Sequence, residues 1–158
     1  MVLGLEAGPA ARGDVQPMTN GSLAQSYLIK AQKRLKILPV LLEEEDYSDV
    51  VRESQEIVEL ALKGMLRQAG IEPPKWHDVG KALVEYGGRF PEAVRREIGR
   101  LADISAWLRK EREFSFYGDI DFIPTEEYGR DVADRAIEDA RFTVSVAEKA
   151  IPRQTGRL

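Results

Sequence analysis

Apolar residues recur at steps of three and four along the chain from Ser22 onward, and no stretch alternates between apolar and polar residues as a β-strand would. This pattern predicts helices throughout. The first helix is expected to begin near Ser22, as its N-cap, and its apolar positions continue to Leu42. Pro39 lies late in this pattern, so we expect a kink or a weak point there, because proline removes a backbone donor.

The second predicted helix has Ser48 or Asp49 as its N-cap and ends at Gly70. Its middle is apolar on nearly all sides, which is typical of a helix buried at the centre of a bundle. Gly64 lies within this apolar segment and costs about 1 kcal/mol of helix stability relative to alanine. We therefore expect a close helix crossing at Gly64, where the missing side chain is an advantage.

The second half of the chain predicts one short helix and two long ones. The short helix is expected to begin at about His77 or Asp78, with Asp78 or its neighbour as its cap, and to end at a pair of glycines. A long helix begins at Pro91, a residue suited to a first helical turn, and its apolar stripe extends one step of four further to Arg112. The last long helix is expected to begin near Gly129.

These elements predict an all-α fold, an antiparallel up-and-down helical bundle of four long helices plus one short connecting helix. The bundle is expected to span residues 22–151, between a flexible N-terminal tail (1–21) and a flexible C-terminal tail (152–158). A chain of 158 residues is long enough for one domain with its own core.

Charge and composition narrow the range of functions. A net charge of −4 argues against a protein that coats nucleic acid non-specifically, since neutralising phosphates requires an excess of lysine and arginine. The chain has no cysteine and a single histidine, His77, so most metal sites and most nucleophile–base pairs lack their parts. We expect no metal and no cofactor. No apolar segment has the length of a membrane span or a signal peptide, which predicts a cytoplasmic protein.

Arg112 is the strongest candidate for a binding residue. Its guanidinium would present a planar fork to a phosphate or a carboxylate; the alternative is an arginine placed at a helix end by the helix dipole. Arg109 lies three residues earlier on the same helix. Tyr117 is expected either to hydrogen-bond the same ligand or to pack under the following loop. Asp119 and Asp121 are expected either to bind a divalent ion together with a nucleotide phosphate, or to meet basic residues of a partner, or to stabilise a turn, which is the plainer use.

Several segments of the chain, taken in their order and spacing, carry a resemblance to a known family. They are Leu60–Lys63, Gly70–Lys75, His77–Asp78, Tyr117–Asp119, Pro124–Tyr128 and the final alanine-rich helix. Together they resemble the prokaryotic stand-alone members of the HEPN family (higher-eukaryote and prokaryote nucleotide-binding domains). The resemblance covers nearly everything from about residue 22 to residue 151.

The resemblance implies a helical bundle that forms a homodimer, and a minimal nucleotidyltransferase as partner, often within a toxin–antitoxin system. Many members are metal-independent endoribonucleases. They place an arginine, four to six intervening residues and a histidine at the end of the penultimate long helix, in a cleft shared by two copies. In this chain Arg112 stands where the arginine is expected, but Tyr117 follows in place of the histidine. Tyrosine, with a pKa of about 10, is a poor base at neutral pH.

The sequence therefore predicts a non-catalytic or degenerate HEPN protein that binds a nucleotidyltransferase partner or a nucleotide. The binding residues would be Arg109, Arg112, Tyr117 and Asp119. Two alternatives stay open. An endoribonuclease would cut RNA with Arg112 and Tyr117, and it requires Arg112 to face a solvent-filled cleft. A helical dimer with a scaffolding role instead requires Arg112 to be sealed by an internal acid.

Overall fold

The computed structural model describes residues 19–75, 78–117 and 128–153, and within these ranges every regular element is a helix. The side chains of residues 113–117 lie outside this description. None of the described helices is both long and apolar enough to cross a membrane. The α-helices, numbered in chain order, are α1 (Asn20–Leu35), α2 (Leu38–Glu43), α3 (Tyr47–Gln68), α4 (Val79–Glu85), α5 (Glu92–Arg95), α6 (Ile98–Tyr117) and α7 (Arg130–Ala150).

Successive long helices run antiparallel. The end of α1 meets the first half of α3, where Arg34 Nε donates to a Glu53 carboxylate oxygen at 2.6 Å. The end of α6 also meets the first half of α3, through Arg112. The start of α6 lies beside the second half of α7, where the Arg100 guanidinium sits 3.6 Å from the centre of the Phe142 ring. The predicted all-α antiparallel up-and-down bundle is confirmed.

Helix α3 is the centre of the bundle and packs against α1, α6 and α7. The predicted close crossing at Gly64 is confirmed. A Cβ atom at Gly64 would lie 3.1 Å from Ile151 Cδ1 and 3.2 Å from Tyr27 Cβ, so α1 and the end of α7 approach closely because this position has no side chain. The fully buried apolar side chains of α3 are Val50, Val51, Ile57, Val58, Ala61, Leu62, Met65 and Leu66.

The first helix begins earlier than predicted, because Thr19 and not Ser22 is its N-cap. The two side chains form a capping box, in which Ser22 N–H donates to the Thr19 hydroxyl at 3.1 Å and Thr19 N–H donates to the Ser22 hydroxyl at 2.8 Å. Pro39 falls in the first turn of α2, where its missing N–H has no partner to lose. The expected weak point is thus a break between α1 and α2.

The start of α3 also differs from the prediction. Neither Ser48 nor Asp49 is its N-cap; both lie in its first turn, and Asp46 precedes the helix. Glu45, just before, has a φ of 60°, so the chain turns sharply through the left-handed region and enters α3 earlier than the cap pattern indicates.

The long helix expected from Pro91 is interrupted. Glu97 N–H donates to the Val94 carbonyl at 2.9 Å, three residues back, and this tight turn separates α5 from α6. The predicted short connecting helix is α4, and α2 and α5 are two further short helices that the prediction had merged with long ones.

Candidate functional site

The last turns of α6 place two arginines at the edge of the bundle. Leu101, Ile104 and Leu108 are buried and anchor α6 against its neighbours. Arg112 lies one step of four beyond Leu108, so it continues the buried row at the point where that row leaves the core. Arg109 lies three residues earlier. Their side chains are 34% exposed for Arg109 and 31% for Arg112, so both reach solvent.

Two side chains of α3 hold the guanidinium of Arg112. Its Nη1 donates to the Gln55 side-chain oxygen at 2.5 Å and also to the carboxylate of Glu56. The Gln55 amide in turn donates to Glu59 at 3.0 Å, and Glu59 pairs with Lys63 at 3.8 Å. Arg112 therefore belongs to a polar chain that runs along α3, and charge-assisted hydrogen bonds fix its orientation.

Arg109 is held from the other side, by the residue that begins α4. Its Nη1 lies 3.4 Å from Asp78 Oδ1, and the same oxygen accepts the backbone N–H of Gly80 at 2.8 Å. The cap of the short helix was predicted to be Asp78 or its neighbour, and it is Asp78. A Cβ atom on Gly80 would lie 3.1 Å from Ala102 Cα, so α4 sits close against α6 here. One carboxylate therefore both caps α4 and neutralises Arg109.

We call Gln55, Glu56, Asp78, Arg109 and Arg112 the arginine layer. It contains two guanidiniums and two carboxylates, so its charges cancel, and its side chains come from α3, α6 and the cap of α4. Side chains of these types can bind a ligand through hydrogen bonds and ion pairs. In the described ranges the arginine layer holds no imidazole, and no group of three or more His, Cys, Asp or Glu side chains there is placed to bind a metal ion.

The chain returns to the end of α6 just before α7. The hydroxyl of Tyr128, a buried residue, donates to the Glu111 carbonyl at 2.8 Å. The start of α7 is thereby tied to the α6 turn that carries Arg112.

Two carboxyl groups with shifted pKa values lie outside the arginine layer. Burial raises the pKa of Asp46, and a side-chain hydrogen bond that its protonated form makes with Asp49 adds to this effect. A hydrogen bond from Arg95 lowers the pKa of Glu92 at the start of α5. Neither group belongs to the arginine layer.

Two of the four predicted binding residues, Arg109 and Arg112, are brought to one surface. The backbone of Tyr117 ends α6, but its side chain lies outside the described residues, as do the predicted Asp119 and the single histidine, His77. The sequence reasoning missed Gln55 and Glu56 as partners of Arg112. Gln55 and Glu56 end a polar run, residues 52–56, in the first half of α3, and nothing in that run indicates which of its residues meets Arg112.

Comparison with known protein families gives one result for this chain. A profile of the HEPN domain matches residues 24–150, which is most of the sequence. A comparison with curated proteins gives no significant match.

Proposed function

Because this chain belongs to the HEPN-domain family, we propose that it is a non-nucleolytic member that binds a nucleotidyltransferase partner at the surface around the arginine layer. It acts as a homodimer in a toxin–antitoxin-like pair. Family membership supports the dimer and the class of partner, while the contacts of Arg112 support the absence of nuclease chemistry and the place of binding.

The state of Arg112 carries this proposal. Its guanidinium is held by Gln55 and Glu56 of the same chain, and the ten residues that follow it contain no histidine. RNA cleavage through the 2′-hydroxyl needs a base for that hydroxyl and an acid for the leaving oxygen. With no histidine after Arg112 and an acid already on its guanidinium, this helix end is poorly equipped for that reaction.

Charge compensation favours a protein over RNA as the ligand. A phosphate that approached Arg112 or Arg109 would also meet the carboxylate of Glu56 or Asp78 beside it, in a chain whose net charge is already −4. A protein surface can instead supply both signs of charge and exchange ion pairs without leaving one charge unpaired. A free nucleotide is the second ligand that the half-exposed arginines could accept.

A scaffolding role is the second candidate, and one observation favours it. Arg112 pairs with Glu56, and a purely structural arginine requires such an acid within the same chain. A binding role needs the exposed third of the Arg112 side chain, whereas a scaffolding role does not. A substitution of Arg112 therefore distinguishes the two roles.

The first test is cleavage of a mixed single-stranded RNA with EDTA present. We expect no cleavage by the wild-type protein and none by Arg112→Ala. Cleavage by wild type that disappears in Arg112→Ala, but persists in Arg95→Ala, would overturn the proposal and restore the endoribonuclease. Arg95 is a suitable control because it also pairs with a surface acid, Glu92, away from the arginine layer.

The second test is co-purification with a tagged minimal nucleotidyltransferase encoded beside this chain. We expect Arg112→Ala to weaken the complex at least about tenfold, the loss of one well-placed ion pair at an interface, with Arg95→Ala unchanged. A complex of unchanged affinity would favour the scaffold. Binding of ATP by calorimetry, lost in Arg112→Ala, in the absence of any complex would assign the surface to a nucleotide.

A further inference from the structure

The outer side of α1 and α2 is unusually apolar for an exposed surface. Ile29, Ile37 and Val40 are 46%, 44% and 57% exposed, and among the described residues Val84 is the one other exposed large hydrophobic side chain. Ile29 lies in α1, Ile37 precedes α2 as its N-cap, and Val40 lies in α2. We call this surface the α1–α2 face; its members are Ile29, Lys30, Lys33, Lys36, Ile37 and Val40.

The α1–α2 face is also basic. From residue 20 to residue 42 the chain contains four lysines and arginines and no aspartate or glutamate, although the whole protein has a net charge of −4. Arg34 pairs with Glu53 at 2.6 Å. Lys30, Lys33 and Lys36 are exposed, and no carboxylate in the described part of the chain lies within ion-pair distance of them. This surface therefore presents uncompensated positive charge among apolar side chains.

A groove runs along part of this face. Leu23, Tyr27 and Leu60 form its apolar floor, and Ile29, Lys30 and Lys33 are among the side chains at its edges. Its volume is about 420 Å³. An apolar floor bordered by lysines suits a ligand with an apolar ridge flanked by acids.

We propose that the α1–α2 face docks an acidic amphipathic helix of a partner protein. The apolar ridge of that helix lies in the groove and against Ile29 and Ile37, and its glutamates and aspartates meet Lys30 and Lys33. The α1 part of the face, from Ile29 to Leu35, is about 10 Å long at 1.5 Å per helical residue, so a partner helix of two turns or more covers it. This docking surface is distinct from the arginine layer, so the two proposals stand or fall separately.

The chemistry of the face favours this occupant over two others. Nucleic acid would use the lysines but has no need of three exposed aliphatic side chains, and the protein as a whole repels it. A membrane-surface helix needs a wide apolar side to sink into the acyl boundary. The wide apolar side of α1, including Ala24, Leu28 and Ala31, is committed to the core, and the outward side has only single aliphatic residues among lysines.

The test uses a synthetic peptide of about 18 residues, long enough to form a helix, with leucines at helical spacing and glutamates beside them. Its matched control has lysine in place of every glutamate. Titration of the ¹⁵N-labelled full chain by NMR maps the contact. We expect saturable binding of the acidic peptide, with shifts concentrated on α1 and α2, and no binding of the lysine peptide.

Substitutions on the protein complete the test. The double variant Lys30→Glu/Lys33→Glu is expected to weaken binding at least about tenfold, because two attractive contacts become repulsive. The matched control, Lys81→Glu/Val84→Gln, changes an exposed lysine and an exposed valine on α4 and is expected to bind as wild type does. Arg112→Ala should also bind normally, and thermal melts check that each variant is folded.

Three results would overturn the proposal. The first is an absence of saturable peptide binding, and the second is binding that Lys30→Glu/Lys33→Glu leaves unchanged. The third is capture of the protein by phosphatidylglycerol vesicles or by single-stranded RNA, lost in the same double variant while the peptide does not bind. That last result would reassign the face to a membrane surface or to nucleic acid.

Discussion

Two regions of this bundle carry basic side chains, and they differ in whether those side chains have acidic partners. In the arginine layer, Arg109 and Arg112 each have a carboxylate partner from another element, Asp78 or Glu56. On the α1–α2 face, Lys30 and Lys33 have no such partner among the described residues. The paired arginines connect helices and help to position them. The two lysines make no ion pair with another described helix. The difference separates a region that is partly structural from one that is free for a partner.

The largest expected effect concerns how α1 is attached. Gly64 lies beneath α1, and a larger side chain there would collide with Tyr27 and Ile151. We expect Gly64→Val to lower the free energy of unfolding by about 2 kcal/mol, measured by urea denaturation. The control Gly99→Ala has open space around it in α6 and should raise stability by about 0.5 kcal/mol. A Gly64→Val protein as stable as wild type would show that packing is not what holds α1.

The next effect concerns the two roles of Asp78. Asp78→Ala removes the cap of α4 and the partner of Arg109, and we expect a loss of about 1.5 kcal/mol in chemical denaturation. Asp78→Asn keeps a capping oxygen and loses only the ion pair, so its loss should be about 0.5 kcal/mol. Equal losses in the two variants would mean that the ion pair, and not the cap, dominates.

A smaller effect is expected for the pair of Arg112 and Glu56. In a double-mutant cycle with Arg112→Ala and Glu56→Ala, we expect a coupling energy of about 0.5–1 kcal/mol, since both side chains are nearly a third exposed. Sodium chloride at about 1 M should reduce this coupling by screening. A coupling of zero would remove the contrast between the paired arginines and the unpaired lysines.

The smallest effect is expected on the α1–α2 face. Lys30→Gln/Lys33→Gln should change the free energy of unfolding by no more than about 0.5 kcal/mol, because neither lysine has an ion-pair partner to lose. The measurement is urea denaturation beside wild type. A loss above about 1 kcal/mol would show that these lysines are structural and that the two basic regions do not differ as described.

The pattern of apolar residues was sufficient to predict the long helices, their antiparallel order and the close crossing at Gly64. It located the break at Pro39 but not its form, because a proline in a first turn begins a helix as readily as it kinks one. It also misplaced the start of α1, since Ser22 fits a capping box equally well as its N-cap or as its third residue, and the hydrogen bonds with Thr19 decide between them.

The arginine layer was predictable only in part. The step of four from Leu108 placed Arg112 at the end of the buried row, and local sequence identified Asp78 or its neighbour as a cap. The partners of Arg112 were not predictable, because Gln55 and Glu56 lie more than fifty residues away and meet it only through the packing of α6 on α3. Tertiary contacts of this kind have no signal in helical periodicity.

The acid-free stretch from residue 20 to residue 42 has a consequence for how fast this protein meets a partner. These residues carry four basic and no acidic side chains in a protein whose net charge is −4, so charge is unevenly distributed and the molecule has an electric dipole. An acidic partner is then turned toward α1 and α2 before the two surfaces touch, which raises the rate of productive encounter. Added salt would slow this association while leaving the lifetime of the apolar contact nearly unchanged.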